Sequence, residues 1–85
     1  MKDPVLLGDA TSHQGVVKTA SSTFVIGGRR VALVGDIVSC PTHGDNPIVE
    51  GGEGYTEQGR RLVVHGCRSQ CGSIVLAAPS GARFA

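Results

Sequence analysis

Eighty-five residues suffice for one small domain, and a chain this short buries a smaller fraction of its surface than an ordinary domain. Eight Lys and Arg against seven Asp and Glu give a net charge of +1, too weak a field to draw nucleic acid or an anionic membrane. Phe24, Tyr55 and Phe84 are the only aromatic residues and Trp is absent, so the core lacks large anchors and a metal or a partner chain is expected to supplement it.

The N-terminus offers one Lys and the short apolar run 5–7 before Gly8 and Asp9, far too little for a signal peptide or a membrane helix. A cytosolic setting follows as an expectation. Along the rest of the chain the apolar residues fall in short clusters at 16–17, 24–26, 31–34, 48–49, 62–64 and 74–76, separated by Gly, Ser, Asn or Pro. Thirteen Gly and four Pro, with no long run at helical period, argue against a helical fold. The reading is an all-β domain of short strands joined by turns, one unit over 1–85. Arg29 with Arg30 and Arg60 with Arg61 are read as solvated turn or strand-edge residues.

An internal repeat organises these clusters. Residues 28–40 align without a gap against residues 59–71, each reading turn, strand, Gly-centred bend and cysteine. The end of the unit recurs as Gly8-Asp9-Ala10-Thr11-Ser12-His13, with histidine where the other copies carry Cys40 and Cys71. Glycine at each bend predicts a positive φ or a close backbone approach. If the copies are related by an approximate three-fold axis, His13, Cys40 and Cys71 converge on it. Asp9 and Asp36 are expected to brace their loops by accepting backbone hydrogen bonds.

Three cysteines in a reducing compartment point to metal ligation rather than a disulfide framework. Zinc takes four tetrahedral ligands from thiolate and imidazole, and a structural site fills all four from protein. The repeat supplies three, and Cys40-Pro41-Thr42-His43 supplies a fourth, so the expected site is His13, Cys40, His43 and Cys71. Two alternatives stay open: His65 in a three-histidine, one-cysteine site without Cys40, and Cys67 in place of one cysteine or in a disulfide with Cys71.

Gly8-Asp9 followed by Thr11-Ser12-His13-Gln14-Gly15, Gly35-Asp36 with Cys40-Pro41-Thr42-His43-Gly44, and Gly66 with Cys71-Gly72 together resemble PAAR-domain proteins over essentially the whole chain. The Pro-Ala-Ala-Arg segment that names the family corresponds to Arg30-Val31-Ala32-Leu33, which keeps only Ala32. The resemblance implies a small cone of short β-hairpins with pseudo-three-fold repeats and a structural zinc near its vertex. It implies a structural tip, not an enzyme, that caps and sharpens the trimeric spike protein of a type VI secretion apparatus, one chain per trimer. Such a tip is a monomer when free, waits in the cytoplasm, touches the target membrane transiently and is secreted or translocated into the target cell on firing. A single domain over 1–85 with no effector extension would carry effectors noncovalently. Residues 24–26, 48–49 and 74–78 are expected to face the spike, and His13, Cys40, His43 and Cys71 match the family's metal loops.

Two other readings compete. A small zinc module binding nucleic acid or protein lacks paired Cys-x-x-Cys knuckles, a basic stripe and an aromatic platform for bases. A zinc hydrolase lacks a His-Glu-x-x-His pattern beside Asp36, Asp45, Glu50 or Glu53.

Overall fold

The computed structural model describes residues 3–78, so Phe84 and the end of the chain lie outside the description. Among the described residues there is no helix, and the strands are all two residues long: β1 Ala10–Thr11, β2 Val25–Ile26, β3 Arg29–Arg30, β4 Ile37–Val38, β5 Asn46–Pro47, β6 Thr56–Glu57, β7 Arg60–Arg61 and β8 Val75–Leu76. Every pairing is antiparallel, joining β2 to β3, β4 to β5, β6 to β7, and the first strand β1 to the last, β8. Isolated two-residue ladders of this kind are marginal in water, so their support must come from elsewhere.

That support is a backbone ring closed by three copies of one motif. Val5 N–H donates to the Val63 carbonyl at 3.0 Å, Val63 N–H to Ala32 at 2.9 Å, and Ala32 N–H to Val5 at 2.8 Å. Leu7, Val34 and His65 donate around the ring in the opposite sense, to Arg30, Arg61 and Asp3. Further along, the bridges Val17 to Val38 and Ile48 to Ser69 are matched by the pairing of Val75 with Thr11. The spacing is 27 residues from the first copy to the second and 31 from the second to the third, as 32 − 5 and 63 − 32 show. The repeat is therefore a pseudo-three-fold rotation in space.

The first copy is longer than its sequence suggests. Its strand includes Pro4 and Leu6, which bridge to Val64 and Val31, so Val5-Leu6-Leu7-Gly8-Asp9 is the counterpart of Ala32-Leu33-Val34-Gly35-Asp36. Consecutive burial of Pro4, Val5 and Leu6, of Val31, Ala32 and Leu33, and of Leu62, Val63 and Val64 marks strands covered on both faces. At the bends that follow, Gly8, Gly35 and Gly66 take φ of 88°, 96° and 92°, the left-handed region that a side chain disfavours.

Two connections between copies form hairpins, β2–β3 and β6–β7, turning through Gly27-Gly28 and Gln58-Gly59 with positive φ at both central residues. This is the turn whose twist suits two-residue hairpins. Phe24 and Tyr55 hold equivalent positions ahead of them and meet edge to face, with ring centroids 4.9 Å apart. The expected spike-facing set needs correction here. Ile48 and Val75 are fully buried, because the equivalents Val17, Ile48 and Val75 join the three copies, whereas Phe24, Val25, Val49 and Leu76 remain exposed.

The basic pairs also do more than solvate an edge. Arg29 donates to the Leu7 carbonyl at 3.0 Å and to buried Asp9 at 3.2 Å, and its counterpart Arg60 donates to the Val34 carbonyl at 2.7 Å and lies 3.6 Å from Asp36. Both carboxylates brace their bends, Asp9 accepting from Leu6 N–H and Asp36 from Leu33 N–H. Asp36 accepts further from the Ser21 N–H and hydroxyl and from the Thr19 hydroxyl. Asp36→Ala strands more donors than Asp9→Ala, so we expect losses of about 3 kcal/mol and about 1–2 kcal/mol respectively. Urea unfolding at unchanged m-value measures the difference.

Candidate metal centre

Beyond each bend the chain makes a loop, and the three loops bond to one another in rotation. Ser12 N–H donates to the Ile74 carbonyl, Ser39 N–H to Val16 and Gln70 N–H to Pro47. In the first and third copies the loop is the same tight turn, with Gln14 and Gly72 at φ of 66° and 89°. The second copy is longer. Gly35 bonds back to Ile48, thirteen residues on, whereas Gly8 and Gly66 bond back to Val17 and Val75, nine residues on. The four additional residues, 13 − 9, allow the loop to carry His43 as well as Cys40.

These loops bring His13, Cys40, His43 and Cys71 together, with one ligand atom from each residue within 4.8 Å of all the others. Cys40 Sγ lies 3.7 Å from His13 Nδ1 and 3.3 Å from His43 Nδ1, and Cys71 Sγ lies 3.9 Å from His13 Nδ1. A tetrahedral zinc with ordinary bond lengths has N to S edges of about 3.6 Å. The donor set therefore fits a single tetrahedral metal ion. Cys40 is buried, Cys71 and His13 are half-buried and His43 is exposed, so the cluster sits at the surface end of its loops.

Sequence reading missed the residue that ties the loops together. Buried Asn46 donates from its amide to the Gly44 carbonyl and accepts the Cys71 N–H at 3.2 Å, while Gly44 N–H closes the turn on the Cys40 carbonyl. Nothing in its sequence context separates Asn46 from an ordinary turn residue. Gly15 is a second support: a Cβ there would run into the Ser39 carbonyl, so the first and second loops touch only because it is glycine. His65 and Cys67 lie outside the cluster. His65 accepts the Ala77 N–H on Nδ1 at 3.1 Å, and Cys67 is buried where the other copies place Asp9 and Asp36. An open groove of about 850 Å³ beside Val34, Gly51, Arg61 and Cys67 includes none of the four cluster residues.

The serines around Cys71 act on its thiol. Hydrogen bonding to the Ser69 hydroxyl, then to the Ser73 hydroxyl, with smaller help from the Ser73 backbone and His13, brings its pKa from 9.0 down to about 5, against the opposing effect of burial. A thiolate is the form a metal binds.

The family model described as PAAR motif matches residues 7–77. The chain belongs to the PAAR-motif family. No curated protein matches it. The family's known setting is the spike tip of the type VI secretion apparatus, where it associates with spike proteins as a structural module. The PAAR match begins at Leu7 and so takes in the loops of all three copies, including every residue of the Cys/His cluster.

The Cys71 environment gives a pH test. Because its folded pKa is depressed, its contribution to the stability of the metal-free chain is fully present above pH 9.0 and is lost as pH falls through about 5. We expect Ser69→Ala with Ser73→Ala to move the titration midpoint back toward the ordinary thiol range. Thiolate absorbance against pH on chelated protein reads the shift, and an unchanged midpoint would rule out the serine contribution.

Proposed function

We propose that this chain is the zinc-stapled tip that caps and sharpens a trimeric spike protein of a type VI secretion apparatus, one chain per trimer. The observation that carries this reading is the convergence of His13, Cys40, His43 and Cys71 from loops of all three copies onto one point. Two thiolates with two imidazoles form a donor set suited to zinc. Four protein ligands leave no open position for a catalytic water, which supports a structural rather than a hydrolytic role. The zinc would crosslink the three copies without demanding a large core, and a stiff point is what a puncturing tip requires.

The pseudo-three-fold backbone supports docking on a true three-fold partner, with the loops forming the vertex of a cone and its base resting on the spike. Exposed Phe24, Val25, Val49 and Leu76 are the members of the expected spike-facing clusters that remain available for that contact, with Leu7 and Val16 also exposed elsewhere among the described residues. In this reading the free chain is a monomer, effectors ride noncovalently, and contact with the target membrane is transient. The chain is held in the cytoplasm before firing and translocated after it. No helix among the described residues is long and apolar enough to span a membrane.

Metal analysis should find about one zinc per chain. His13→Ala, Cys40→Ser, His43→Ala and Cys71→Ser should each lose it, while His65→Ala and Cys67→Ser should keep it. Chelation should lower the melting temperature by on the order of 10 °C. Co-purification with the spike trimer tests the cap itself: zinc without spike binding would reduce the chain to a zinc-stapled interaction module, and absence of zinc from protein prepared with zinc and reductant would overturn the staple.

A further inference from the structure

We infer that Cys40 and Cys71 form a second staple, exclusive of the metal: an intramolecular disulfide made by exchange with a low-molecular-weight disulfide. Both sulfurs approach the same His13 Nδ1, at 3.7 and 3.9 Å, and their mutual separation is no more than 4.8 Å. A disulfide needs about 2 Å between sulfurs, a gap that side-chain rotation can close when the backbones are held near one another. They are held near one another: Asn46 links the Cys71 N–H to Gly44, and Gly44 closes on Cys40.

Exposure assigns the order of events. Cys71 is half-buried and reachable, whereas Cys40 is 4% exposed. The Cys71 thiolate attacks one sulfur of the small disulfide, forming a mixed disulfide and releasing one small thiolate. The Cys40 thiolate then attacks the Cys71 sulfur, forming the Cys40 to Cys71 bond and releasing the second small thiolate. Two electrons pass from the pair of cysteines to the small disulfide, and any protons lost by the cysteines end on the released thiols. The product joins the second and third copies, which the metal would also join, because the same two sulfurs serve either bond. Cys67 stays outside the exchange, buried and away from the cluster.

The biological sense rests on the proposed spike-tip reading, since a chain driven from a reducing into an oxidising compartment meets conditions under which free thiols do not persist. The chemistry does not rest on it. The test uses the full chain, stripped of metal under reductant, desalted and exposed to oxidised glutathione. After alkylation, peptide mass mapping should show two of the three cysteines joined as Cys40 to Cys71, with Cys67 alkylated. The zinc-loaded chain should close at least about tenfold more slowly, releasing zinc to a chromophoric chelator in step with closure. Cys40→Ser should stall as a glutathione adduct on Cys71, and Cys67→Ser should close like the parent.

A parent chain that stops at the adduct, that pairs Cys67, or that closes equally fast with zinc present would overturn the inference. Should the stripped chain unfold by circular dichroism, the zinc-loaded arm with excess oxidised glutathione decides: linked Cys40 and Cys71 with zinc release upholds it, and Cys67 pairing sinks it. A chain that takes up no zinc yet closes Cys40 to Cys71 would uphold the disulfide and defeat the metal reading, so the two failures are distinguishable.

Discussion

The ring of backbone hydrogen bonds among Val5, Ala32 and Val63 is the constraint on which the rest of the structure depends. Each copy donates to one neighbour and accepts from the other, so no copy can satisfy its central peptide groups without both partners. Peptide groups buried this deeply are costly when unpaired. The two-residue strands contribute little alone, but closure makes their pairings mutually dependent, and the β1–β8 pairing locks the beginning of the described chain to its end. A small core of Val, Leu and Ile is thereby sufficient where large aromatic anchors are missing.

Three-fold closure delivers three equivalent loop positions, and a tetrahedral ion requires four ligands. One break in the symmetry would supply the fourth. The second loop is lengthened, His43 enters through the added residues, and Asn46 from the same segment reaches across to hold Cys71. One departure from the repeat thus provides both the fourth donor and the strut that fixes the third. The asymmetry at Cys67 has a different character: replacing an aspartate at a buried bend removes a carboxylate that Arg29 and Arg60 serve in the other two copies.

Much of this was legible in the sequence because the repeat preserves chemistry where geometry is demanding. Glycine at the bends announced positive φ, and Asp9 and Asp36 announced side-chain acceptors for bend N–H groups. The metal-competent residues shared one offset from those glycines, which led to the cluster the loops assemble. What stayed hidden depended on partners distant in sequence. The first copy's strand was obscured because Pro4-Val5-Leu6 shares only its leucine and its apolar character with Val31-Ala32-Leu33. Asn46 acts through Cys71, 25 residues away, and Arg60 through Val34 and Asp36, so neither role shows in local pattern. Burial of Ile48 and Val75 likewise follows from the ring, since strands between copies are covered from both sides.

Hydrogen bonds run in rotation through the loops as well as through the ring, and this couples the cluster to the core. Displacing the Cys71 loop disturbs Gln70 on Pro47 and Cys71 on Asn46, and the Pro47 segment leads directly into buried Ile48. Moving the His13 loop disturbs Ser12 on Ile74, next to buried Val75. A metal crosslink at the four side chains would therefore restrain more than its own ligands, because it would oppose the separation of strands that hold the core closed. Because each loop bonds to a different neighbouring copy, no loop can withdraw alone without breaking a backbone contact of another. Stiffness at the loops and cohesion at the ring are two consequences of the same rotational arrangement.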